Sequence, residues 1–297
     1  MPRPDLCVCL SFDVDAMSSW INSMKSTNIP TLSRGEFGAH VIPRILEMLR
    51  RCGVTATFFV PGHTALAFPD AVRAIVAAGH EVGHHGWVHE HPSELDASQE
   101  RKVLEKGFAA LEKVADVIPR GYRAPAYIFS ESTPDLLGEF GFVYDSSCSA
   151  SDFTPYYLRR GDRFSTTGPY VFGELIDIVE MPFSTTLNDF PHFEFVGGFS
   201  TAQSTPQHVR DLWQGEFDYA HQNVPGGCYV LTMHPEAIGR GHRLTMLESL
   251  VRYMKEQDGV VFETMSAYAG RWKGANPKNR WRDENPWRVG TGSLEAF

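Results

Sequence analysis

Leu6-Cys7-Val8-Cys9-Leu10-Ser11-Phe12-Asp13-Val14-Asp15 is the stretch on which the fold turns. Residues 6–14 read as a buried strand that runs straight into acidic residues. A dinucleotide-binding sheet would follow such a strand with Gly-x-Gly-x-x-Gly, and no such run follows here. Downstream, apolar runs of strand length alternate with segments of helical periodicity, which argues for about seven parallel βαβ units. The chain is therefore expected to be an α/β barrel, with its reactive residues at the carboxyl ends of strands.

Working outward, Val41, Ile42, Ile45, Leu46 and Leu49 put a helix over 38–51, with Gly53 as its stop. Val54–Val60 is a second strand, ended by Pro61-Gly62-His63. A helix over 69–78 closes at Gly79, and Glu81–His85 is a short strand or turn. A long helix over 97–116 opens at Asp96 or Ser98, and Thr133-Pro134-Asp135 opens another with the threonine as cap. Residues 120–125, 141–144, 175–181, 228–233 and 260–263 read as extended, and 206–222, 243–257 and 265–272 as helical. Residues 16–37 read as a long loop, and 146–175 and 184–203 as two loop excursions.

The 297 residues are 42% hydrophobic and 21% charged, an ordinary globular composition with ample length for a large core. Barrels of this length are commonly one domain. Residues 1–272 are assigned to it, and 273–297 to a polar tail carrying Trp281 and Trp287. That tail is either disordered or packed on a neighbouring subunit of a homo-oligomer. The net charge of −9 argues against a general affinity for nucleic acid or anionic membranes. No segment approaches the roughly 18 apolar residues of a membrane span. Asp13 and Asp15 interrupt the first apolar run before an export signal can form, so a cytoplasmic location is expected. Five scattered cysteines (Cys7, Cys9, Cys52, Cys148, Cys228) read as reduced core thiols.

Gly79–Pro92 holds five of the twelve histidines, at 80, 84, 85, 89 and 91. His85 and His89, four apart, would point the same way from one helical turn and grip one metal ion. Asp13 and Asp15 would face the same side of a continuing strand, and two anions so close need a cation. Asp15, His85 and His89 together make a hydrolytic site for Zn²⁺ or a similar ion, with coordination positions left open. His234, at the end of strand 228–233, is either a general acid or base near pH 7 or a structural histidine. Arg123 either holds a carboxylate bidentately or is a surface arginine in a turn. Trp20, Phe190, Phe193 and Phe195 either line a pocket over the site or pack between subunits and under the loops.

Ser11-Phe12-Asp13-Val14-Asp15, Thr57-Phe58-Phe59, Gly79-His80-Glu81-Val82-Gly83 leading into His85-x-x-x-His89, Arg123-Ala124-Pro125 and Leu231-Thr232-Met233-His234-Pro235 occur in that order. The set resembles the polysaccharide deacetylase family, carbohydrate esterase family 4, over roughly residues 8–270. The Asp-x-Asp form, Ser33-Arg34-Gly35, Pro61-Gly62-His63 and His234-Pro235-x-x-x-Gly239-Arg240 resemble one branch within it. That branch includes cytoplasmic peptidoglycan-deacetylase-like proteins, cyclic imide hydrolases and metal-free allantoinases.

The resemblance implies a distorted (β/α)7 barrel and a divalent metal, usually zinc. It implies Asp13 as catalytic base, Asp15, His85 and His89 as metal ligands, Arg123 as the arginine that orients the base, and His234 as general acid. Leu231 is implied to line the acyl pocket, and a backbone N–H near Pro125 to help stabilise the oxyanion. Trp20, Pro125 and Leu231 are thus the expected substrate contacts. Two departures stand out: Ala126 where the family usually has an aromatic, with Tyr127 one later, and His84 where asparagine is common. His84 is expected to point away from the metal, and the ligand set argues against the metal-free branch. The expected function is hydrolysis of a non-peptide C–N bond, in the N-acetyl group of an amino sugar or in a small cyclic imide or ureide. A catalytically idle ligand-binding relative is the alternative, which the complete set of base, ligands and acid opposes.

Overall fold

β1 (Leu6–Asp13) is buried along its whole length, and its alternation divides the core in two. Leu6, Val8, Leu10 and Phe12 face the helices, while Cys7 and Cys9 belong to a second cluster on the opposite, interior face. The computed structural model describes residues 6–197 and 203–288. In it the sheet runs β6-β7-β5-β4-β3-β2-β1-β8, with β9 also on β1. The remaining strands are β2 (Thr57–Val60), β3 (Glu81–His84), β4 (Gly121–Tyr122), β5 (Tyr144–Asp145), β6 (Tyr156–Arg160), β7 (Glu174–Glu180), β8 (Cys228–Met233) and β9 (Val260–Phe262). β8 pairs along one edge of β1, and the other edge is shared by β9 at Leu6–Val8 and β2 at Ser11–Asp13. Every pairing is parallel except β6 with β7. The result is the expected distorted (β/α)7 barrel, a curled and mostly parallel sheet in a single domain.

The helices are α1 (Met17–Asn22), α2 (Ile29–His40), α3 (Ile42–Cys52), α4 (Gly62–Ala67), α5 (Pro69–Ala77), α6 (Ala97–Ala115), α7 (Thr133–Glu139), α8 (Phe190–Phe193), α9 (Pro206–Asn223), α10 (Pro235–Ile238), α11 (Gly241–Lys255), α12 (Met265–Ala275) and α13 (Lys278–Glu284). Several ends follow local chemistry. Gly53 closes α3 in the left-handed region at φ 61°. Asp96 and Gln99 exchange hydrogen bonds in a capping box at the start of α6. Thr205 accepts from the His208 N–H at the start of α9. At α7 the cap residue is Ser132 rather than Thr133, whose hydroxyl is drawn away to donate to buried Glu100 at 2.6 Å.

Three stretches expected as loops contain regular structure. Residues 16–37 carry α1 and most of α2. Six residues are too few to show a helical period, and Gly35 and Gly38 depress the helix propensity of α2. Both glycines serve close packing. A Cβ on Gly35 would collide with the Ala16 carbonyl, and one on Gly38 would lie 2.8 Å from a Glu236 carboxyl oxygen. Within 146–175, β6 pairs antiparallel with β7, and its adjacent tyrosines Tyr156 and Tyr157 are both buried, which erases the alternation that marks a strand. The 184–203 excursion contains α8, and its residues 198–202 lie outside the described residues, as do tail residues 289–297. α4 and α10 follow directly where β2 and β8 were expected simply to end. The described part of the tail packs on this same chain, with the Trp281 ring 5.5 Å from Tyr157 and 6.2 Å from Trp272. Among the described residues no helix is long and apolar enough to cross a membrane.

Candidate active site

The carboxyl ends of β1, β3, β4 and β8 converge on one buried cluster. β1 delivers Asp13, and the Val14 N–H reaching the Phe59 carbonyl carries the strand direction on to Asp15. Thr64 and Ser18 then fix the Asp15 backbone: Thr64 Oγ1 donates to the Asp15 carbonyl at 2.7 Å and lies 2.9 Å from Ser18 Oγ, itself 3.1 Å from His63 Nδ1. His63, of the branch motif, thus acts behind the ligand rather than beside it.

His85 follows β3, with Nε2 3.3 Å from Asp15 Oδ1 and Nδ1 2.7 Å from the Arg123 carbonyl. His89 Nε2 lies 3.4 Å from Asp15 Oδ2, and the two imidazole rings are 5.1 Å apart. They do not share a helical turn, as their spacing had suggested. Gly86 at φ 73° and His89 at φ 61° break the helical path, and Glu90 Oε2 accepts the N–H groups of Trp87 and Val88 to hold a turn instead. The remaining histidines of the run face elsewhere. His84 is wedged under α6, accepting from the Gly86 N–H and 3.1 Å from the Leu104 carbonyl, and burial pushes it down to about 4. His80 accepts from the Ala56 N–H, and His91 lies 3.5 Å from Glu94.

The donor set fits a divalent metal. One atom each from Asp15, His85 and His89 lies within 4.8 Å of the others, and Asp15 Oδ1 is buried without a hydrogen-bond partner. Burial opposes the Asp15 charge, but His89 and His85 hold its carboxyl well below the usual carboxylate range. Burial pushes His89 down to about 4, leaving a neutral imidazole with a free lone pair near pH 7. His85 is raised, because Asp15 and Asp13 outweigh its burial.

Beside these ligands, Asp13 Oδ1 accepts from Arg123 Nη1 at 2.7 Å and Oδ2 accepts from the Tyr127 hydroxyl at 3.2 Å. Arg123 is fully buried, with four of its five N–H donors engaged. It also donates to Ser11 Oγ and to the Ser146 carbonyl and hydroxyl, each at 3.0 Å, over the face of Phe59. His234 Nε2 stands 3.9 Å from Asp13 Oδ2. Its other edge is held by Asp189, which accepts the His234 N–H and lies 2.8 Å from Nδ1. Burial works against the imidazolium, but Asp189 outweighs it and raises His234 to about 10. Burial pushes Asp189 itself upward, against the pull of His234.

The structure thus brings together Asp13, Asp15, His85, His89, Arg123 and His234. Pro125, buried, starts the turn beside them. Leu231 lies apart from this cluster in its packing. It is fully buried on the helix-facing side of β8 with Tyr229 and Met233, because its parity is opposite to that of His234. Thr232, paired with Ser11, takes the interior face, and its buried hydroxyl has no hydrogen-bond partner. Trp20 is only 2% exposed, beneath the Arg34 guanidinium and 6.4 Å from Phe190, so it walls the site from behind rather than meeting solvent.

Tyr127, Asp189, Ser146 and Ser147 escaped the sequence reading. Tyr127 reaches Asp13 because Ala126 and Tyr127 both adopt left-handed φ, 54° and 59°, with the Tyr127 ring stacked on Phe183. The unusual alanine after Pro125 was the one signal for it. Ser147 ties the same turn to a buried carboxyl pair: it accepts from the Ala124 N–H and donates to Asp145, and its N–H reaches Asp145 and Glu180. Burial raises both the Asp145 and the Glu180 carboxyls above their ordinary values.

Residues 4–144 match the family model for polysaccharide deacetylase. The chain is 33% identical to a peptidoglycan deacetylase of Helicobacter pylori, over 93% of this chain and 99% of that protein. A peptidoglycan deacetylase-like protein of Gibberella zeae is 28% identical over 84% of this chain and 80% of its own length. Among solved structures, one described as a polysaccharide deacetylase from Mycobacterium smegmatis superposes with a TM-score of 0.82 at 37% identity, covering 93% of each chain. The allantoinase Puue shares the fold, with a TM-score of 0.75 at 22% identity over 92% of each chain. Sequence motifs, barrel and near full-length relatives agree, and the chain belongs to the polysaccharide deacetylase family.

Proposed function

We propose that the chain is a metal-dependent hydrolase of a non-peptide C–N bond, acting on a small substrate. The observation that carries the reading is the placement of Asp13 between two partners, Arg123 at 2.7 Å on one oxygen and His234 at 3.9 Å from the other, beside the Asp15, His85 and His89 cluster. When bound there, a divalent metal supplies a polarised acyl oxygen and a water of lowered pKa. Asp13 takes the proton of the attacking water, and Arg123 holds that carboxylate in place. His234, kept charged by Asp189, gives its proton to the departing nitrogen. Four of the five Arg123 N–H donors are committed to Asp13, Ser11 and Ser146, so its work is on the base.

The site is enclosed: Asp13, Asp15, His85, His89, Arg123 and His234 are each 7% exposed or less. A long glycan strand needs an open groove, so enclosure favours a compact molecule. Removal of an N-acetyl group from an amino sugar is the first reading, supported by the similarity to a protein named peptidoglycan deacetylase. Opening of a cyclic imide or ureide is the second, supported by the enclosure. The test is a screen of the purified, Zn²⁺-supplemented chain against chitooligosaccharides, succinimide, phthalimide, hydantoins and allantoin. Acetate release from the sugars supports the first reading, and turnover of the rings alone supports the second. Stoichiometric metal with no turnover of any of them would make the protein an idle binding relative.

A further inference from the structure

The segment from Asp15 to Ser23 grips the His89 imidazole from both ends. On one edge Asp15 Oδ2 lies 3.4 Å from Nε2. On the other, Ser23 Oγ lies 2.6 Å from Nδ1 and 3.1 Å from the His89 carbonyl oxygen. Asn22 Nδ2 donates to the same carbonyl at 3.1 Å. The six-residue α1 separates the two grips, and Ser23 is tied back to it through its N–H to the Ser19 carbonyl at 3.0 Å. His89 needs such holding, since a φ of 61° is a conformation that residues other than glycine adopt only under strain.

A hydroxyl has one hydrogen to give and lone pairs to receive with. When Ser23 gives its hydrogen to the His89 carbonyl, it accepts from Nδ1–H. The imidazole proton then sits on Nδ1, and the Nε2 lone pair faces Asp15 and His85. This is the tautomer a metal ligand needs. His85 has the equivalent partner in the Arg123 carbonyl, which accepts from Nδ1–H at 2.7 Å and is beyond the reach of substitution. We propose that Ser23 is a positioning residue that fixes His89 in the Nδ1–H tautomer for metal binding through Nε2. The proposal rests on reading Asp15, His85 and His89 as metal ligands.

The test is a Zn²⁺ titration of the full chain against a chromophoric chelator, for the wild type and for Ser23→Ala, Ser23→Thr and Asn22→Ala, with thermal melts of each metal-free chain. Wild type is expected to bind one Zn²⁺ per chain. Ser23→Ala should bind about 10–100-fold more weakly, and Ser23→Thr, which restores the hydroxyl, should recover to within about threefold. Asn22→Ala loses a hydrogen bond to the same carbonyl but keeps the Nδ1 partner, so it too should stay within about threefold. Should Ser23→Ala fail to fold, Ser23→Cys replaces it with the same expectation, since a thiol is a weak acceptor. Equal affinity in Ser23→Ala and wild type overturns the proposal, as does an Asn22→Ala loss as large as that of Ser23→Ala, or no recovery in Ser23→Thr. Absence of Zn²⁺ binding by the wild type instead overturns the metal reading beneath it.

Discussion

Replacing Asp189 with asparagine isolates the acid half of the proposed chemistry. His234 gives its backbone N–H to both Asp189 oxygens, at 3.0 and 2.9 Å, and places Nδ1 2.8 Å from one of them. Burial alone would drive the imidazole towards neutrality, and Asp189 reverses this, raising it from 6.5 to about 10. At 1.36 kcal/mol per pKa unit, that difference is about 4–5 kcal/mol of preference for the imidazolium. Asparagine keeps the shape and an acceptor oxygen but removes the charge, so His234 should return to its ordinary value or lower. A base raised on folding contributes stability that is complete below its unfolded value and lost as pH rises through its folded one. Activity that needs protonated His234 follows the same limb. Wild type should therefore keep its rate until near pH 10. The variant should lose about tenfold per pH unit above roughly pH 6.5, a deficit of about 100-fold at pH 8.5 that shrinks to a few-fold below pH 6. The assay is kcat/KM from pH 5.5 to 10, with urea melts at pH 6 and pH 10. The stability gap between wild type and variant should be larger at pH 6. An alkaline limb at the same pH in both proteins would refute the assignment of His234 as a titrating acid held by Asp189.

Leu231→Ala should cost about 2–5 kcal/mol in denaturant melts while leaving kcat/KM of the folded protein unchanged, because the side chain fills the helix-facing core. Thr232→Val, on the interior face, should do the reverse, with near wild-type stability and altered kinetics. Arg123→Lys removes the fork that spans Asp13, Ser11 and Ser146, and should lower kcat by about 100-fold or more and stability by about 3–5 kcal/mol. Asp13→Asn should keep one Zn²⁺ per chain by metal analysis while losing about 10²–10⁴ in rate, whereas Asp15→Asn should lose the metal itself.

Legibility followed sequence distance and period. β1, β2, β7 and β8 stood out because their apolar runs have one length and one meaning, and α6, α9 and α11 because each spans at least four turns. α1 and α2 did not, since one is too short to show a period and the other spends glycine positions on close contact with Ala16 and Glu236. Asp13, Asp15, His85 and His89 could be picked out because ligand chemistry restricts residue types and spacing. Asp189 could not, since a carboxylate in a stretch without periodicity resembles any turn residue until the fold sets it against His234. Leu231 shows the opposite failure. A motif aligned by residue type ignored parity, and a displacement of one residue along a strand changes the face.

The pair Asp13 and Asp15 shows why the site needs both kinds of partner. Two carboxylates one residue apart, both nearly fully buried, repel each other, and left alone one of them would take up a proton. The barrel separates their fates by direction. Asp13 turns towards β4 and pairs at 2.7 Å with the Arg123 guanidinium, a group that remains charged at any accessible pH. Asp15 turns towards β3 and meets two imidazoles, His85 at 3.3 Å and His89 at 3.4 Å. On that side Asp15 Oδ1 stays buried without a hydrogen-bond partner. Under the proposed function a divalent cation would take up that oxygen. The two carboxylates thus have separate partners, so the proposed base and the proposed metal site can be perturbed independently by substitution at Arg123 and at Ser23.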